Sequence, residues 1–394
     1  MRSAADLEET LAGLLPPGTA LLEGDELVLL SAEPASIAAE SIALPAEPET
    51  PEVLRARMKE LADEAPGRMT NIARGAFSEG RLWLLTEDGQ VASMADGGGP
   101  LQREALGAKV VDLCSGARGL AAVTGERRQG RGWSLMRRSG GRWIEEASVA
   151  RTGDGAIALS CEGEAESLLT TSRFITFAAG RPRVLALAET LPLALVTAAV
   201  HVTPAAVFLG INAGEWGGGL RRIDRATGRV ATIERKEGEG ACRLPLDAAC
   251  DPVNAIATPP WRTDCVVAAV GLVHMMASGR LLSVCGGTVE LLFAAPLDPH
   301  LADREDARRA AKGGIGSVPF YGLVTRGPDL VAVGHDALYV VGKNGTAVRQ
   351  PFPRFRLIDG VYVTFDVPGA ILVLTEISRR ASLSGGAPML VQRP

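Results

Sequence analysis

The sequence predicts an all-β fold: a β-propeller of about seven blades, or six, behind a small α+β N-terminal segment. Three observations predict it. Short apolar strands alternate with Gly-containing turns along most of the 394 residues, which include 46 scattered glycines. The unit apolar strand, turn, apolar strand, charged hairpin recurs about seven times. Only 4% of residues are aromatic while 46% are hydrophobic, so the core is built from Val, Leu, Ile and Ala.

The units begin near Asn71, Lys109, Ala156, Leu195, Asn254, Phe320 and Leu357. Their spacing runs from 37 to 66 residues, around the ~40–50 of known blade repeats. A β-sandwich of ~100 residues would need several copies to fill this length. A large up-and-down barrel would show even alternation rather than grouped strands. Two turns are explicit in the sequence, Ala226-Thr227-Gly228 and Asn344-Gly345, the second reading as a type I′ hairpin turn.

The stretch GEWGGGLRRIDRATGRVATIE, from Gly214, resembles the strand–hairpin–strand ends of bacterial WD40-like and quinoprotein-like propellers. The resemblance extends over six or seven blade-sized segments. It implies a ring of radial sheets and brings no functional residue with it.

Ahead of the repeats lies a different composition. Residues 4–15 and 51–64 read as short helices, the second with Thr50 as N-cap and Pro51 at its first position. Between them, TALLEGDELVLLS reads as a hairpin around Gly24–Asp25, followed by an Ala/Pro/Glu-rich linker. The expected division is therefore 1–66 and 67–394. The net charge of −5 is uneven, with 14 acids and 4 bases in residues 1–66. An acidic leader beside a mildly basic body predicts that the leader docks on the ring.

Six cysteines, at 114, 161, 242, 250, 265 and 285, form no C-x-x-C pair. With no apolar leader or bilayer-length run, the expectation is a cytoplasmic protein with free thiols. A Cys250–Cys265 bridge and a metal site are the minority alternatives. His201 and His274 sit in apolar runs and read as core residues, His335 as a turn residue, and His300 as exposed. No Walker A, G-x-S-x-G or dinucleotide fingerprint occurs, so no cofactor, metal or catalytic residue is assigned.

The leading functional expectation is a non-enzymatic module that binds a protein partner, in toxin neutralisation or complex scaffolding. The alternative is a propeller hydrolase or lyase, which would need several histidines to converge on carboxylates. Three loops are the expected contacts. One is the Arg-rich hairpin with Arg127, Arg128, Arg131 and Trp133, a pairing common at binding surfaces. Another is the glycine-flanked loop with Asn212, Glu215 and Trp216. The third is the insertion carrying Asp303, Arg304, Arg308 and Arg309. The acidic overall balance speaks against nucleic acid.

Overall fold

The computed structural model describes residues 72–86, 88–95, 102–125, 132–163, 165–178, 181–192, 197–237, 242, 244–274, 276–297 and 310–351. It also describes the strands 19–23, 26–30, 361–364, 371–375 and 389–392. The two expected N-terminal helices lie outside these residues.

Six sheets of four antiparallel strands follow one another along the chain. Blade 1 runs from Ile72 to Glu104, blade 2 from Val110 to Ala150, and blade 3 from Ala156 to Ala186. Blade 4 runs from Thr197 to Ile233, blade 5 from Val253 to Phe293, and blade 6 from Phe320 to Pro351. A further five-stranded sheet joins Val361–Thr364, Ile371–Thr375 and Met389–Gln392 to the hairpin Thr19–Glu23/Glu26–Leu30. Ala20 there pairs with Val391, so N- and C-terminal strands share one sheet. Its innermost strand touches the inner strands of blades 6 and 1 and completes the ring. The chain is thus an all-β propeller.

Each hydrophobic cluster belongs to two neighbouring blades. One joins Ala76, Trp83 and Leu85 of blade 1 to Leu113 and Leu120 of blade 2. Another joins Trp133 and Leu135 of blade 2 to Leu159 and Phe177 of blade 3. Blades 3–4, 4–5 and 5–6 repeat the arrangement. A single four-stranded sheet cannot bury both its faces, so the blades are stable only as neighbours.

The inner strands carry a recurrent irregularity. In blades 1, 2, 3, 5 and 6 the register slips one residue near the start, at Ile72/Arg74, Val110/Asp112, Ala156/Ala158, Val253/Ala255 and Phe320/Gly322. A bulge of this kind bends the strand and re-aims side chains. Asp112 uses it to reach both ways around the ring. It accepts two hydrogen bonds from Arg74 of blade 1 (3.0 and 3.1 Å) and one from the Leu159 backbone N–H of blade 3 (2.6 Å). Asn254 does likewise in blade 5, donating to the carbonyls of Gly271 and of Phe320 in blade 6 (both 2.8 Å).

The two predicted turns sit between the third and fourth strands of their blades. Asp224 holds the first by accepting from the N–H groups of Ala226 and Thr227. Gly228 and Gly345 both take left-handed conformations (φ 73°). A Cβ on Gly228 would lie 2.1 Å from the Ala186 carbonyl oxygen, and one on Gly345 would lie 2.2 Å from that of Leu292. Each turn therefore docks its glycine on the preceding blade. Asn344 is not left-handed, so the Asn344-Gly345 turn is not type I′. It is a longer loop between Val341 and Ala347 that ends in a left-handed glycine.

The cysteines overturn the expectation of free thiols. Cys114 pairs with Cys161, Cys242 with Cys250, and Cys265 with Cys285. The first pair joins two blades that only the ring brings together, the second closes a short loop, and the third links neighbouring strands of blade 5.

Buried ion pairs hold together segments that lie far apart in sequence. Arg280 is buried on the third strand of blade 5. It donates to the carbonyls of Pro245 (2.6 Å) and Gly313 (3.0 Å) and to the Asp251 carboxylate. Burial pushes the Asp251 carboxyl up, against the pull of Arg280. Removing one partner of such a pair strands the other, at a cost of about 3–5 kcal/mol. Arg280→Met is expected to lose that much by denaturant titration, and adding Asp251→Asn is expected to restore part of it.

Asp154 is held by two Arg173 hydrogen bonds of 2.9 Å. Burial pushes its carboxyl up, but the bonds from Arg173, Thr170 and the Thr152 N–H outweigh burial and leave it below the ordinary value. A depressed folded-state value means stability that is present above the unfolded value, about 3.9, and lost as the pH falls through the folded one. Asp154→Asn is expected to be less stable than wild type at pH 7. Its stability is also expected to fall less steeply below about pH 4, measured by urea unfolding across pH.

Candidate functional site

The ring has two faces. The inner strands start at one, which also carries the blade-to-blade connections and the loops between second and third strands. Here Asn212, ending the second strand of blade 4, stands opposite Thr197, which begins the first. We call this the entry face. The inner strands end at the opposite, exit face.

Trp216 is 77% exposed on the entry face. It lies in a one-turn 3-10 helix, Gly214–Trp216, between the second and third strands of blade 4. That turn is braced on all sides. Asn212 accepts from the Gly214 N–H (2.8 Å) and donates to Asn254 (2.6 Å). Gly218 and Gly219 donate to the carbonyls of Ala248 and Asp251, both at 2.9 Å. Gly217 is left-handed (φ 75°), and a Cβ there would lie 2.4 Å from the Ala249 carbonyl carbon. The glycines that flank Trp216 in the sequence thus let the turn seat on the Asp247–Asp251 connection, which the Cys242–Cys250 bridge closes.

Blade 5 adds a second apolar element. Its central strands, Cys265–His274 and Met276–Cys285, run ten residues each. The inner strand pairs only as far as Val270 and the outer one only from Leu281. The remainder projects as a two-stranded ribbon with Val273 half-exposed near its tip. Ser278 of this ribbon bridges Ile315, which is 57% exposed. The turn bearing Trp216 lies against the Cys265–His274 strand. Three exposed large apolar side chains therefore share one sector of the entry face.

The other expected contacts join this face by their stems. Asp303, Arg304, Arg308 and Arg309 lie outside the described residues. Their insertion leaves at Pro296–Leu297 and returns at Gly316–Ser317, where Leu297 donates to the Gly316 carbonyl (2.8 Å). Arg127, Arg128 and Arg131 also lie outside them. Their loop springs from Thr124 and Gly132, the entry-face ends of the second and third strands of blade 2.

Trp133 is a correction. It is fully buried in the core between blades 2 and 3, with the Arg151 guanidinium 5.0 Å over its ring, so it presents nothing to a partner. Arg137 and Arg138 turn inward too. Arg137 lies between Glu146 (3.0 Å) and Glu166 (2.7 Å). Arg138 stacks over Trp83 and pairs with Glu104. Alternation along the strand cannot show this, because both faces of a blade are packed.

The exit face holds a different constellation. His201 Nδ1 lies 2.8 Å from Glu162 Oε1, and its Nε2 lies 2.7 Å from Thr258 Oγ1. The second Glu162 oxygen accepts from the Val202 N–H (2.6 Å). Glu162, His201 and Thr258 come from successive blades 3, 4 and 5, so His201 is not the core residue its apolar run suggests. His335 sits at the entry face, where its backbone N–H donates to the Pro319 carbonyl (2.9 Å). Burial lowers the His335 imidazole below its ordinary value, against the pull of Asp336. His201 and His335 therefore do not converge. His300 and the His274 side chain are outside the described residues.

Comparison with known proteins bears on the fold. No protein-family model matches the chain, and no curated protein sequence matches it. Among solved structures, YCF48 bound to a D1 peptide has a TM-score of 0.52 at 12% identity, over 82% of this chain and 92% of that one. YCF48 from Cyanidioschyzon merolae has a TM-score of 0.50 at 11% identity, over 84% and 97%. The extracellular domain of BT4673 from B. thetaiotaomicron has a TM-score of 0.49 at 12% identity over 83% of this chain, which spans only 39% of that one. The two YCF48 likenesses agree with the ring of sheets described above: the chain has the β-propeller fold.

Proposed function

We propose that this propeller is a protein-binding module whose docking surface is the entry face. The carrying observation is Trp216: a large aromatic side chain, 77% exposed, on a turn fixed by backbone hydrogen bonds. Exposing a rigid tryptophan in water is unfavourable, and such residues dominate binding energies when a partner covers them. Val273 and Ile315 are further exposed apolar side chains of the same face, on or beside the strand pair that the Trp216 turn packs against. The stems of the loop bearing Arg127, Arg128 and Arg131 and of the insertion bearing Asp303, Arg304, Arg308 and Arg309 lie on the same face, and we assign these residues to a polar rim. The partner we infer is an extended protein segment with apolar anchors and acidic flanks. That YCF48 has been seen with a D1 peptide is consistent with such a segment suiting this fold. Scaffolding fits a module of this kind, and toxin neutralisation is a narrower form of it.

A peptide-display selection against the full chain, followed by titration calorimetry of the selected peptide, tests this reading. Trp216→Ala is expected to weaken binding about 30-fold or more, the loss of a ~2 kcal/mol hot spot. Unfolding should be nearly unchanged. Undiminished affinity removes the entry face from the proposal. Reversing Arg127, Arg128 and Arg131 to Glu is expected to slow association and flatten its salt dependence.

A second reading rests on the exit face. Carboxylate, imidazole and hydroxyl in line are the arrangement of an activated nucleophile. Glu162 would orient His201, which would take the Thr258 proton as Oγ attacks an ester. An activated-ester assay decides it: hydrolysis lost in both His201→Ala and Thr258→Ala supports it, and rates equal to wild type remove it.

A further inference from the structure

All six cysteines of the chain are within bonding distance of one another as three pairs, and none is left over. The pairs differ in kind. Cys265 and Cys285 stand directly opposite on adjacent antiparallel strands, with Cα atoms 4.4 Å apart. That is the spacing of a non-hydrogen-bonded pair, where facing side chains approach most closely. Cys114 on the inner strand of blade 2 meets Cys161, just beyond the inner strand of blade 3, across 47 residues of sequence and 5.7 Å between Cα atoms. Both belong to the core shared by these blades. Cys242 and Cys250 close an eight-residue loop on the entry face beside the turn that holds Trp216.

Six residues scattered over 394 do not fall into three bonding pairs by accident. A chain kept reduced has no reason to pair every thiol, because thiols at bonding distance expose it to adventitious oxidation. Zinc is a poor alternative. It takes four ligands, whereas each site here offers two sulfurs, and no group of three Cys, His, Asp or Glu side chains is gathered among the described residues.

We propose that this protein is oxidatively folded, that all three disulfides are structural, and that it matures in an oxidising compartment rather than in the cytoplasm. Each bond forms by thiol–disulfide exchange. One cysteine thiolate attacks the disulfide of a donor oxidoreductase, giving a mixed disulfide, and the second cysteine displaces the donor's thiolate. The two thiol protons end on the donor's sulfurs, and the two electrons reduce the donor disulfide to a dithiol. Three rounds consume three donor disulfides. The Cys114–Cys161 bond fastens two blades together, and the Cys242–Cys250 bond fixes the connection on which the Trp216 turn rests.

The test is a thiol count on the protein in the cells that make it. Cells are quenched in acid and the protein is alkylated with N-ethylmaleimide without reduction. It is then reduced and alkylated with iodoacetamide. The expected intact mass carries no maleimide and six carbamidomethyl groups. Peptide mapping without reduction is expected to give the linked pairs 114–161, 242–250 and 265–285. Stoichiometric maleimide on any of the six cysteines overturns the proposal, and so does a different pairing. The count is independent of partner binding, so its failure leaves the entry-face reading standing.

Discussion

The bulge near the start of the inner strands is the constraint on which the ring depends. Strands that converge on an axis crowd one another, and their first residues carry backbone polar groups that water cannot reach. Slipping the register by one residue turns a side chain sideways, into the neighbouring blade. Asp112 then reaches Arg74 on one side and the Leu159 N–H on the other. Asn254 reaches Phe320 in the same way. The apolar clusters between blades supply most of the stability. These polar links fix how one blade sits against the next, because a misplaced buried carboxylate or amide would be left unsatisfied.

The surface loops inherit this order. Asn254 also holds Asn212, which holds the Gly214 N–H, so the turn presenting Trp216 is wired to the inner strand of blade 5. Arg280 ties the connection before blade 5 to the one after it through Pro245, Asp251 and Gly313. An exposed aromatic on a floppy loop would lose much of its binding energy to ordering. Here that cost is met during folding, in hydrogen bonds the partner does not have to make.

The sequence carried the fold but hid much of the surface. Repeat starts near Asn71, Lys109 and Ala156 coincide with the inner strands because each blade must restart the same short apolar pattern. The Trp216 loop was legible for a local reason: glycines on its C-terminal side mark close backbone approach. Arg280 and Asn254 carried no such signal. Each is a lone polar residue in an apolar run, and its meaning lies in carbonyls far away in sequence. Trp133 misled for the converse reason, since arginine beside tryptophan describes a core edge as well as a binding surface. The entry-face ribbon with Val273 left only the length of its strands as a trace.

The sequence by itself determined an all-β ring of repeated units and the places where its loops lengthen, since both follow from local periodicity and turn chemistry. Only the tertiary structure decided which loops share a face, which arginines are spent inside, and which cysteines meet. Where the partners come from different blades, those are facts of closure. Residues such as 114 and 161, or 162, 201 and 258, become neighbours when blades are set side by side around an axis, and no spacing along the chain records that step.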